Sequence, residues 1–232
     1  MATVTSGGAA DQGDSESDGG GPGSRIAARL VDAAIDCIDQ LGYGRVTTAE
    51  VALRAGVTQA EQYRLFPTRA DLMAAVAHAV VRRWADAVEH PRPGGVIDLS
   101  TDPREAWRLF GTLRWDDRLR AEGHVWQELM LACNTDSLVK ERMRDLGGVV
   151  ARVALAEMRR LPGSERVPDD VLLGVGVTVV QMRETGRTYL ELNSHEVPGL
   201  AEALRLMVDN VCDRYGIGPP SEQQPSYTSG QG

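Results

Sequence analysis

"TTAEVALRAGVTQAEQYRLFPTRAD", Thr47–Asp71, repeats one local grammar three times. Thr47 stands three residues before Glu50, Thr58 three before Glu61, and Thr68 three before Asp71. At that spacing the hydroxyl accepts from the backbone N–H three residues on, while the acid reaches back to the amide of the capping residue. Two amides that the start of a helix leaves orphaned are satisfied together. Each cap contributes roughly 0.5–2 kcal/mol. The spacing therefore predicts helices beginning near residues 48, 59 and 69, with Ala55-Gly56-Val57 as the tight turn between the first two.

Upstream, from Ile26, the apolar residues Leu30, Ala33, Cys37, Ile38 and Leu41 recur at helical steps and fall on one face of a helix. Ser24 is placed to cap its start and Gly42 to stop it. Beyond "HPRPGG" (His90–Gly95), Asp102-Pro103 opens a helix carrying Trp107, Phe110 and Trp115. Trp126, Leu129, Met130 and Cys133 mark another. Leu138 to Leu161 reads as one long helix with Met143, Leu146, Val150 and Val153 on its buried face. Pro168 and Pro198 begin two more. "VLLGVGVTVVQM", Val171–Met182, is rich in β-branched residues, but Pro168 and two aspartates precede it, so it is assigned to helix. The pattern is all-α. Residues 1–24 and 216–232, rich in small and polar residues, are expected to be disordered tails.

The formal net charge of −8 excludes a surface that is basic all round. Four acids, Asp11, Asp14, Glu16 and Asp18, belong to the N-terminal tail, whereas Arg25 to Glu89 holds eight basic and eight acidic residues. The N-terminal module is neutral. The three cysteines, Cys37, Cys133 and Cys212, are far apart and show no metal-ligand spacing, so reduced core thiols and a cytoplasmic setting are expected. No apolar run approaches the ~20 residues needed to span a bilayer. Four scattered histidines, a "GVGVT" too short for a nucleotide fingerprint, and no serine-nucleophile motif argue against an enzyme, a metal site or a cofactor.

A helix, a capped helix, an Ala-Gly-Val turn, a short helix ending Tyr-Arg-Leu-Phe-Pro and a further long helix together resemble the TetR family of bacterial transcription regulators. The matching text runs from Leu30 to Val76. The resemblance implies a three-helix helix-turn-helix DNA-binding head over 25–68 and a larger helical ligand-binding and dimerisation domain over 69–215. It also implies that Thr47 or Thr48 meets the DNA backbone through the start of the second helix, and that Gln59 and Tyr63 touch base edges or phosphate. Arg64 and Arg69 are the nearby cations, with Thr58 and Gln62 on the same candidate surface. Two positions depart from the family pattern: Gln62 where an aliphatic residue is usual, and Leu65 where His or Tyr is common. Glu61 has two readings, as an acceptor for a cytosine amino group or as the capping partner of Thr58. Tyr63 is likewise either a DNA contact or a ring packed between helices, and Arg64 and Arg69 either contacts or solvated charges.

Trp107, Phe110, Trp126 and Met130 are candidates for an apolar effector pocket, with His124, Arg108 and Gln181 as polar anchors. Each aromatic is also a reasonable core residue. By family resemblance the partners are a palindromic double-stranded operator, a small-molecule effector that releases a repressor, and a second copy of the chain. That copy would pack through the last two helices, on faces that include Val175, Val179, Met182, Leu200, Leu204, Met207 and Val211; the alternative for these faces is that they are internal core. The alternative is a head repurposed to bind a protein partner without specific DNA recognition.

Overall fold

The computed structural model describes residues 22–90, 102–112, 120–179, 181 and 199–219. Among these residues the regular structure is helical, with no strand. The ordered elements are α1 (Pro22–Leu41), α2 (Thr48–Ala55), α3 (Gln59–Leu65), α4 (Arg69–Glu89), α5 (Pro103–Thr112) and α6 (Arg120–Ala132). They continue with α7 (Ser137–Arg142), α8 (Leu146–Met158), α9 over 169–179 and α10 (Leu200–Tyr215). Short 3-10 turns cover Tyr43–Arg45 and Ser164–Arg166. Residues 1–21 and 220–232 of the expected tails, with Trp115 and Met182, lie outside the described residues; the rest of the tail expectation is corrected, because residues 22–24 belong to α1 and Ile217, 1% exposed, is seated in the second buried cluster.

The helix starts agree with the three-residue grammar, and two details differ. Thr58 and Thr68 form reciprocal boxes with Glu61 and Asp71. Thr47 accepts from the Glu50 amide, but Glu50 turns toward Arg54 rather than back to its cap. α1 starts at Pro22, whose fixed φ suits a first turn, so Ser24 is inside the helix and not its cap. Gly42 does end α1 with a positive φ of 76°, at a ψ of 152° that is not left-handed helical.

The expected single helix from Leu138 to Leu161 is two helices. Met143–Asp145 form a turn, with the Leu146 amide bonded to the Met143 carbonyl at 3.0 Å. Gly147 and Gly148 follow it, and their backbone freedom lowers helix propensity at that point. The stretch of β-branched residues before Met182 is helical across 171–179.

One buried cluster runs from α1 through Val46, Val51, Leu72, Met73 and Val76 into Val125, Leu129, Val139, Met143 and Leu146. It crosses the expected boundary at 68/69 without a break. A second cluster joins α5, α9 and α10 around Trp107, Met158, Leu172, Val179, Leu204 and Cys212. Of the two readings of these faces, internal core holds for Val175, Val179 and Leu204, which are covered within the single chain. The large apolar side chains left outward on these helices are Val177 and Leu206, 47% and 54% exposed. Burial raises the thiol pKa of Cys37, of Cys133 and, to about 11, of Cys212, so all three are protonated at neutral pH.

Asp209, buried on α10, gathers three arginines at the edge of the second cluster. Arg108 donates from Nε to its Oδ1 at 2.8 Å, Arg205 from Nη1 to its Oδ2 at 2.8 Å, and Arg104 Nη1 lies 3.7 Å from Oδ1. Arg104 is only 3% exposed and also donates to Asp213. Removing the shared anion takes from the buried Arg104 one of its two carboxylates and from Arg108 and Arg205 their buried partner, and breaking a buried pair typically costs about 3–5 kcal/mol. Asp209→Ala is accordingly expected to lower unfolding free energy by about 3 kcal/mol or more in urea denaturation; an effect below about 1 kcal/mol would show that water replaces the carboxylate.

Candidate nucleic-acid interface and effector cavity

The turn between α2 and α3 is set by backbone geometry and by one long-range clamp. Gly56 takes the left-handed conformation, φ 63° and ψ 41°, and its amide and that of Val57 close on the carbonyls ending α2. From α1, Arg29 donates Nε to the Ala55 carbonyl at 3.1 Å and Nη2 to that of Gly56 at 2.9 Å. A guanidinium at a helix C-terminus satisfies orphan carbonyls and opposes the negative end of the dipole. Val51 and Ala52 beneath it are buried, with Val57 and Phe66 half-buried against them.

On α3 the residues Gln59, Tyr63 and Arg64 face outward, and Tyr63 is 49% exposed. The Tyr63 hydroxyl lies 3.3 Å from Thr48 Oγ1, joining the outer face of α3 to the start of α2, where Thr47 is also exposed. Arg64 has no ion-pair partner among the described residues. Glu61 is occupied: its Oε2 accepts from the Thr58 amide and hydroxyl, both at 2.8 Å, and these bonds hold its carboxyl below the ordinary carboxylate range. Of its two readings, the geometry is that of the capping partner, and Thr58 is spent on the same box. Arg69 donates to the Tyr43 carbonyl at 2.7 Å and lies 3.8 Å above the Tyr43 ring, so its charge is anchored at the edge of the head. Gln62 requires a correction. It is 1% exposed and packs inward, and cannot reach a groove.

The five effector candidates separate. Trp107 is fully buried in the second cluster with Nε1 donating to the Pro162 carbonyl at 3.0 Å, and Phe110 packs on the same cluster. His124 faces α1, its Nδ1 2.9 Å from Asp39 Oδ1. Of the further anchors, Arg108 is held by Asp209, and Gln181 is exposed. Trp126 and Met130 do line an open cavity of about 430 Å³ between α6, α7 and α8, together with Cys133 and Met143. That volume falls in the range of roughly 300–1,000 Å³ usual for small-molecule sites. The missed members include Lys140 on the short helix, Met143 and Arg144 on the turn and Gly147 on α8, where the single-helix reading placed no concavity.

Residues 30–76 match the model of the bacterial regulatory proteins of the TetR family. An uncharacterized HTH-type transcriptional regulator of Mycobacterium tuberculosis H37Rv is 34% identical over 143 residues, covering 62% of this chain and 71% of the relative. The chain belongs to the TetR family. A second such regulator of the same organism is 30% identical over 134 residues, covering 56% and 65%. TetR-like architecture extends to the body. A transcriptional regulator from Rhodococcus superposes with a TM-score of 0.56 at 18% identity, over 83% of this chain and 99% of that one. The multidrug binding protein EbrR complexed with ethidium does so with 0.52 at 21%, over 80% and 98%.

In this TetR-family regulator the head is tied to the body at the 3-10 turn and at both ends of α7. The Tyr43 amide donates to Glu128 Oε2 at 2.6 Å, and its hydroxyl to Asp136 Oδ2 at 2.9 Å. Asp136 Oδ1 caps α7 by accepting from Leu138 and Val139, each at 3.1 Å. At the other end Arg142 Nε meets Asp71 Oδ1 at 2.9 Å, while Asp71 Oδ2 closes the box with Thr68. Burial, then the bond to Asp136, pushes the Tyr43 phenol up to about 12, so it keeps the proton it donates. Hydrogen bonds from the Val139 amide and from Tyr43 hold Asp136 below the usual carboxylate range.

Gln62 leaves both amide atoms buried with no hydrogen-bond partner among the described residues. An unmet buried amide costs roughly 1–3 kcal/mol. Gln62→Leu is expected to raise the thermal midpoint by about 2–4 °C for each kcal/mol recovered, read by circular dichroism. A fall in the midpoint would mean that the amide is satisfied.

Proposed function

We propose that this TetR-family regulator is a homodimeric repressor that reads a palindromic operator and is released by a small effector in the cavity between α6, α7 and α8. The observation that carries the reading is the outer face of α3. Gln59, Tyr63 and Arg64 stand exposed on a short, capped rod whose inner side is seated in the core. The neutral head is compatible with this, because Glu61, the one carboxylate on α3, is folded back on the Thr58 cap at the helix start, while Arg64 is exposed on the outer face. Two such helices about one duplex turn apart, ~34 Å, meet successive major grooves on one side of DNA. Pairing through the outward faces of α9 and α10 is supported by Val177 and Leu206.

The expected result of selection from random duplexes is an inverted-repeat site. Tyr63→Ala with Arg64→Ala weakens binding to it roughly 10-fold or more, with unchanged helical content. Val177→Glu with Leu206→Glu converts a sedimenting dimer to a monomer. Failure to enrich any sequence would instead favour a head that binds a protein partner, and an unaltered dimer in the second variant would move the interface elsewhere.

Effector release, in this proposal, runs through α7. Its Lys140 borders the cavity, and its ends hold Tyr43 and Asp71 of the head-facing elements. An effector shifts the operator equilibrium by its difference in affinity for two states, typically 5–150-fold. Asp136→Asn combined with Arg142→Ala is expected to reduce the coupling between operator and effector by more than it lowers either affinity alone, measured by operator titrations with and without effector. Undiminished coupling would exclude the α7 route.

A further inference from the structure

The cavity between α6, α7 and α8 carries a charge pattern that narrows its occupant. Its walls include the Trp126 ring, the thioethers of Met130 and Met143, and Val150. Lys140 and Arg144 are its cationic lining residues, and no aspartate or glutamate lines it. Both cations are exposed, and neither has an ion-pair partner among the described residues. That contrasts with Arg83, Arg104, Arg142 and Arg205, each of which is matched to a carboxylate. Burial pushes the Cys133 thiol up; on that wall Lys140 opposes the push and Asp136, outside the lining, adds to it.

We propose that this cavity binds an amphiphilic monoanion, with an acyl or aromatic body among Trp126, Met130, Met143 and Val150 and a carboxylate between Lys140 and Arg144. The guanidinium fork matches a carboxylate in two parallel bonds, and the ammonium adds a point charge beside it. A neutral body of the same size gains the apolar contacts alone, and a cationic one is repelled. The identity of the ligand rests on the effector reading above only for its regulatory meaning. Binding itself does not depend on that reading.

Gly147 supplies a variant that tests occupancy without disturbing the fold. A Cβ built there meets no heavy atom within 4 Å, so a side chain at this position in the cavity lining enters open space. Leucine is also a better helix former than glycine.

Isothermal titration of the full chain with decanoate, decanol and decyltrimethylammonium, each below its micelle concentration, decides the matter. Decanoate is expected to bind most tightly. Lys140→Gln with Arg144→Gln should weaken decanoate roughly 10-fold or more and leave decanol unchanged. Gly147→Leu should abolish binding of both while melting no lower than wild type. Wild-type decanoate affinity in either variant, or equal affinity for the cationic amphiphile, overturns the proposal. Decanoate binding that fails to release operator DNA supports the anion site and overturns the effector role assigned to it.

Discussion

Tyr43 engages three neighbours at once: its amide donates to Glu128, its hydroxyl to Asp136, and its carbonyl accepts from Arg69. The residue sits in a one-turn segment that α1 must enter and α2 must leave, so holding it fixes where the second and third helices stand relative to the body. Hydrogen bonds to charged partners are the stronger kind, and each of these three has a carboxylate or guanidinium on one side. The position of α3 is therefore set from two directions, by Arg29 clamping the turn from α1 and by Tyr43 anchoring the entry to α2.

That arrangement explains how a neutral head can present a usable face to a polyanion. Of the charges that would oppose DNA, Glu61 stays ionised but is held back on the Thr58 cap of its own helix, and Asp71 is paired with Arg142. Charge that would assist it is partly consumed as well, since Arg29 and Arg69 serve architecture. What remains on α3 is sparse: one arginine, one glutamine and a tyrosine hydroxyl beside a threonine.

The parts legible in the sequence are those governed by short spacing. A hydroxyl and an acid three residues apart meet only at a helix start, so the beginnings of α2, α3 and α4 could be read directly. The break after α7 could not, because the apolar period continues through Met143 and Leu146 and only the two glycines beyond hint at a change. Glutamine at 62 reads as a surface residue by type, and its burial follows from the phase of α3 against α1, which a seven-residue helix barely encodes. Trp107 and Trp126 look alike in sequence yet belong to different clusters, since membership is decided by α10 packing on α5. Arg29, Glu128, Asp136 and Arg142 escaped notice for a common reason. Their partners lie tens of residues away, as with Tyr43 and Asp136 at a separation of 93.

The unbroken apolar core from α1 to α8 bears on how such proteins can be recombined. Exchanging heads between relatives at the residue preceding α4 would sever Leu72, Met73 and Val76 from the side chains of α1 that cover them, and would leave Tyr43 facing foreign partners. A chimaera that keeps its own α4, Glu128, Asp136 and Arg142 with the transplanted recognition helices preserves the seat on which they rest. Rewriting the few outward side chains of α3 leaves that seat untouched, whereas swapping modules cuts through it.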